Sequence, residues 1–149
     1  DQQEGYRVRY ILLLTVVLAF NAFAAPDFDE TMALAKRGNA YAQFNLGLMY
    51  EFGEGVPENY AEAVKWYRKA ADQGHAKAQF NLGFMYHFGV GVPENHVRAY
   101  VWLSMAKTQG NELANNIIGK VKNLMTKQQI AQAQALAAQC YESGYKDCD

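Results

Sequence analysis

The sequence predicts an all-α fold, a short solenoid of two-helix repeats. Three observations carry this. Residues 38–73 and 74–109 align without a gap at a shift of 36, with 21 identical positions, and a fixed period of that length marks a stacked-repeat architecture. Within each copy the shared apolar residues recur at helical spacing rather than in alternation. Each copy also contains one stretch, EFGEGVPENY at 51–60 and HFGVGVPENH at 87–96, in which two glycines and a proline stop one helix before an asparagine starts the next.

The elements follow in order. Residues 27–38, DFDETMALAKRG, read as the second helix of a truncated first unit ending at Gly38. The first full unit opens with a helix from about Asn39 to Glu51, with Ala42, Leu46, Met49 and Tyr50 at core spacing. Gly47 lies inside it, at a cost of about 1 kcal/mol against alanine. Its recurrence as Gly83 implies that a neighbouring helix comes too close there for a side chain. Asn59 is a good N-cap for the second helix, where Ala63, Trp66, Ala70 and Gln73 share one face. The second unit repeats the pattern. A third begins at Gly110 and fades, with Ala114, Ile118 and Gly119 still in phase with Ala78, Leu82 and Gly83. Thr126-x-x-Gln129 is a capping box. It opens an alanine-rich helix to Glu142 whose glutamine face suits the solvent-facing end of a solenoid. Residues 111–142 thus read as C-terminal capping helices.

These residues resemble the Sel1-like repeat. In the first copy the pattern is carried by Ala42, Leu46, Gly47, Tyr50, Gly53, Gly55, Val56, Ala63 and Trp66. In the second it is carried by Ala78, Leu82, Gly83, Tyr86, Gly89, Gly91, Val92, Ala99 and Trp102. Asn59 and Asn95 stand where the pattern often has aspartate, which touches caps and surface only. The resemblance covers roughly residues 27–142. It implies a right-handed α/α solenoid akin to tetratricopeptide repeats, with two full units and partial capping units at both ends. It also implies a non-enzymatic scaffold for a protein or peptide partner. Some cysteine-rich secreted members carry a β-lactamase or penicillin-binding label, so a β-lactamase-like or cell-wall-binding activity is the alternative. Those members have a cysteine pair in each repeat, whereas this chain has one pair at its end.

Composition narrows the function classes. The net charge of −1 argues against a nucleic-acid partner, which calls for a basic stripe. Arg7 and Arg9 precede an apolar run from Tyr10 to Phe20, and Ala22-Phe23-Ala24 follows. This is the layout of a secretory signal peptide over residues 1–24. The run is about half the roughly 20 residues a membrane span needs. The mature chain, 25–149, is then expected to be periplasmic or secreted, monomeric and without a span. Cys140 and Cys148 are the two cysteines. An even count in an exported chain points to a disulfide, here stapling the tail 143–149. Lying beyond the repeats, it is expected to leave them folded when lost. His75, His87 and His96 show no metal-ligand spacing with the cysteines or each other and read as surface residues. No cofactor, metal or catalytic residue is expected.

A binding face emerges from the differences between the copies. On the first helices Tyr41 becomes Lys77, Leu48 becomes Phe84 and Glu51 becomes His87. At helical pitch these positions lie within about 80° of one another, away from the shared core positions. Phe44 and Phe80 sit beside them. A stripe free to vary on the helices that line a solenoid's concave side suits a peptide or protein segment. The plainer alternative is a solvated face with Leu48 and Phe84 partly buried between units.

Overall fold

The computed structural model describes residues 27–148. The signal-peptide segment expected at 1–24 lies outside them. Seven helices, and no strand, occur among the described residues: α1 Phe28–Lys36, α2 Ala40–Phe52, α3 Tyr60–Ala71, α4 Ala76–Phe88, α5 His96–Thr108, α6 Glu112–Asn123 and α7 Lys127–Glu142. Each helix from α1 to α5 packs on the next, and α7 packs on α5.

The starts are fixed by side chains. Asn39, His75 and Asn111, one period apart, cap α2, α4 and α6, while Asn59 and Asn95 cap α3 and α5. Each accepts a bond from the backbone N–H three residues on, satisfying one of the donors a helix start leaves open. Thr126 and Gln129 form the reciprocal capping box of α7. Gly53 and Gly89 end α2 and α4 in the left-handed conformation, and the loop returns to its own helix through Asn59 N–H to Tyr50 O and Asn95 N–H to Tyr86 O.

Shared residues make most of the core, joined by Tyr67 and Leu103, which differ at one repeat position. Leu46, Ala63, Tyr67, Ala70, Leu82, Ala99, Trp102, Leu103 and Ala106 are fully buried. Gly47 and Gly83 are the close approaches the pattern implied. A Cβ on Gly47 would lie 2.5 Å from the Tyr67 ring, and one on Gly83 would lie 2.8 Å from Leu103 Cγ. The glutamine of the repeated AQFNLG is a junction rather than a surface residue. Gln43 Nε2 donates to Ala35 O (3.1 Å) and Gln79 Nε2 to Ala71 O (3.2 Å). Their carbonyl oxygens accept from Gln73 and Gln109 (2.7 and 2.6 Å). The polar pair is thus satisfied where burial would otherwise be costly, and each unit is fastened to the one before it.

Cys140 and Cys148 are disulfide-bonded. The bridge is not confined to the tail it closes. Both cysteines are buried in the same cluster as Leu82, Ala99 and Leu103. Tyr145, held at φ +70, lays its ring over Gly74, where a Cβ would meet it at 2.9 Å. The tail is packed onto the α3–α4 turn.

Candidate functional site

The first helices form a groove of about 510 Å³ between α2, α4 and the start of α6. Six of the eight residues expected at a binding face line it: Phe44, Leu48 and Glu51 from α2, and Lys77, Phe80 and Phe84 from α4. Phe80 and Phe84 lie 6.4 Å apart, and Phe84 contacts Phe88 at 4.5 Å. Phe44 stacks on the His75 ring at 4.6 Å, and its other neighbour is Tyr67. Glu51 is less free than its place in the wall suggests, because its carboxylate accepts the Tyr67 hydroxyl. Burial, and then this carboxylate, hold the Tyr67 hydroxyl well above the usual tyrosine range.

The other two expected residues stand apart. Tyr41 is 73% exposed and sits edge-on to His75 at 5.0 Å, lining an adjoining hollow that shares Phe44 and Lys77 with the groove. His87 is corrected on both counts: it is neither a surface residue nor part of the groove. It is 9% exposed, packed against Phe88 and against His96 at 5.4 Å. The variable stripe turns inward here because the N-terminal turn of α5 covers this position in the second unit. Arg68 of α3 lies on the other side of the same repeat. It donates to the Tyr86 hydroxyl and lies over the Trp102 ring at 5.7 Å, so it is part of the packing.

The groove contains residues the comparison of copies passed over. Phe52 lines it, and both Phe52 and its repeat mate Phe88 are exposed, at 63% and 55%. A comparison that looks for differences passes over residues both copies keep, although helical pitch puts position 52 about 20–40° from 41 and 48. Leu113, also in the wall and 65% exposed, falls one period after Lys77 and was legible in the fading third copy.

His87 and His75 give the fold a pH dependence. Burial is the largest cause pushing His87 below the usual histidine range. His96 and Lys120 push the same way and Glu94 opposes. Burial and then Lys77 lower His75, whose Nδ1 accepts from Ala78 N–H at 3.2 Å and so is needed unprotonated. The unfolded chain takes up these protons near pH 6.5 and the folded chain resists them. Stability is therefore full above about pH 6.5 and falls as pH drops below it. Thermal melts taken between about pH 7 and pH 5 should show a shallower decline for His87→Gln than for the wild type. Identical slopes would remove His87 from the account.

Ser-x-x-Lys spacing occurs twice, at Ser104/Lys107 in α5 and Ser143/Lys146 in the tail. Neither is accompanied by the Ser-Asp-Asn and Lys-Thr-Gly motifs that serine β-lactamases combine with it. The Ser143 hydroxyl is engaged in a turn, donating to Cys140 O and accepting from the N–H groups of Lys146 and Asp147. Among the described residues no helix is long and apolar enough to cross a membrane.

Comparison with known proteins agrees with this geometry. The family model of the Sel1 repeat matches residues 40–75 and 76–111, the same period as the alignment above with a phase shifted by two. The structure of a protective antigen of uropathogenic Escherichia coli strains displaying an SLR fold is similar at a TM-score of 0.72 and 30% sequence identity. The match covers 85% of this chain and 30% of that one. A Sel1 repeat protein from Oxalobacter formigenes is similar at a TM-score of 0.63 and 35% identity, covering 81% of this chain and 57% of that one. DAP3-binding cell death enhancer 1 of Rattus norvegicus is 42% identical over 52 residues, 31% of this chain and 10% of that protein. The chain spans a tenth or less of the length of the curated relatives it matches. Repeat, fold and neighbours coincide: the chain is a Sel1-repeat protein, an all-α helical-repeat fold whose two Sel1 repeats are residues 40–75 and 76–111.

Proposed function

We propose that the chain is an exported, non-enzymatic scaffold that holds a segment of a partner protein in the groove of its first helices. One observation carries this reading. Phe52, Phe84 and Leu113, from three successive units, present large apolar surface to solvent around a single groove, where the core positions beside them are closed. Exposed apolar patches of this kind on a folded chain mark interaction sites. Sel1-repeat proteins generally mediate protein–protein interaction, and the rat relative is named for binding a protein. The disulfide supports export, since such bonds persist in oxidising compartments.

Two sets of substitutions test it. Phe84→Ser with Lys77→Glu and Leu113→Ser should weaken capture of the partner from an envelope extract by at least about tenfold, because interface energy concentrates in a few anchors. Glu62→Ala with Lys65→Ala, an exposed pair on α3, should leave capture unchanged. Circular dichroism should show both sets folded. Capture lost by the second set and kept by the first would move the site to the second helices.

A further inference from the structure

Two charged side chains line the groove, Glu51 and Lys77. Lys77, in the first turn of α4, also borders the hollow that contains Tyr41, and ten residues of α2, about 15 Å of helical rise, separate Tyr41 from Glu51. The lysine thus lies toward the start of α2 and the carboxylate at its end. The last turn of α2 carries no basic residue, and a carboxylate there adds to the negative end of the helix dipole. Among the described residues no lysine, arginine or histidine forms an ion pair with Glu51. Its charge is felt nearby: with Glu58, the larger cause, it pushes the Tyr60 hydroxyl above the usual tyrosine range. What holds Glu51 is Tyr67. That side chain is wholly buried, its ring fills the space left by Gly47, and its hydroxyl donates to Oε2. The other oxygen, Oε1, accepts from no described residue.

Resting on the groove reading above, we infer that Glu51 receives a cationic side chain, arginine or lysine, of the partner segment, while apolar neighbours of that residue seat on Leu48, Phe80 and Phe84. The repeat separates this role from packing. In the second unit Leu103 stands at the position of Tyr67 and His87 at that of Glu51, so the hydroxyl and the carboxylate are present together or absent together. Leu103 fills the space beside Gly83 with carbon alone, so the contact between first and second helix needs no hydroxyl. Nor does the hydroxyl need a charged acceptor, since the Asn81 side chain is a second partner for it. The pair is kept where the carboxylate lines the groove, and it is gone at His87, which lies outside. A carboxylate fixed in advance loses little freedom when a cation arrives. Phe52 and Phe84, exposed in the same groove, add ring faces that attract one. Lys77 disfavours a second cation toward the start of α2, so the segment carries one.

Random peptides displayed on phage and selected on the full chain test this. Selected peptides should carry one arginine or lysine among apolar residues. The tightest is then synthesised, labelled and followed by fluorescence anisotropy. Exchanging its cationic residue for uncharged norleucine, or making Glu51→Gln in the protein, should each weaken binding at least about tenfold. The two changes together should cost no more than either alone, the mark of a direct pair. Glu51→Gln keeps an acceptor for the Tyr67 hydroxyl, so the variant should fold. Tyr67→Phe removes only the hydroxyl. It should weaken the cationic peptide at least about threefold and leave the norleucine peptide unchanged, a difference that lost packing would not produce. Selected peptides without a cation, unchanged affinity for Glu51→Gln, or losses that simply add would each overturn the inference. Phe84→Ser separates it from the reading it rests on. Peptides indifferent to Glu51→Gln but lost on Phe84→Ser leave the groove a binding site with a different occupant. Peptides indifferent to both, or no selected peptide at all, remove the groove itself.

Discussion

Alanine at Gly83 is expected to lower the melting temperature, and alanine at Gly119, the same repeat position one period later, to raise it. In a helix interior alanine is better than glycine by about 1 kcal/mol, so the propensity gain is common to both. The difference is the space. A Cβ on Gly83 would sit 2.8 Å from Leu103 Cγ, 3.0 Å from the Leu103 nitrogen and 3.2 Å from the Ala99 carbonyl oxygen. Two of these are backbone atoms of α5 and cannot turn aside. Nothing lies within 4 Å of the same point on Gly119. Leucine enlarges the contrast: overpacking a tight contact costs about 1–3 kcal/mol or more. Gly47→Leu belongs with Gly83→Leu, since its side chain would enter the Tyr67 ring. Thermal denaturation followed by circular dichroism reads the sign directly. A higher melting temperature for Gly83→Ala would show that the α4–α5 approach is looser than described.

Reduction of the Cys140–Cys148 bond should also be costly, by about 2–3 kcal/mol from loop closure alone, and its effect should reach the repeats. Tyr145 carries the tail to the turn between α3 and α4, and both cysteines share the main core. Hydrogen exchange should therefore accelerate at residues 72–76 when the bond is reduced, alongside the fall in melting temperature. Unchanged exchange there, with loss of protection only after residue 140, would mean that the tail and the repeats are independent.

The helices, their caps and the packing glycines were legible because the period supplies each of them twice. A coincidence of Gly47 with Gly83, or Asn59 with Asn95, is a structural statement before any coordinates exist. The groove was legible in part. Comparing copies finds positions free to vary, such as Tyr41/Lys77 and Leu48/Phe84, but it is blind to an exposed residue that both copies keep, which is what Phe52 and Phe88 are. His87 was misplaced because the α5 turn that covers it is a tertiary neighbour and leaves no mark on the helical pattern. The same holds for Tyr145 and Gly74, 71 residues apart in sequence. Gln43 and Gln79 were seen as repeated, but only the structure gives the reason, since a buried glutamine bonded to a carbonyl of the preceding unit reads in sequence like any surface amide.

That glutamine junction bears on how such a chain lengthens. The acceptor for Gln79 is a main-chain carbonyl, Ala71 O, which every unit offers whatever its side chains are. The donor travels inside the unit, and so does the second glutamine that completes the link. A 36-residue block copied in place therefore arrives with its own fastening and needs no matching change in its neighbour. At position 115 the third unit has asparagine, one methylene shorter, where Gln43 and Gln79 stand in the first two. Tandem duplication is thus a neutral event for this junction until drift shortens the side chain, and the number of units is a quantity that recombination can change faster than point mutation can.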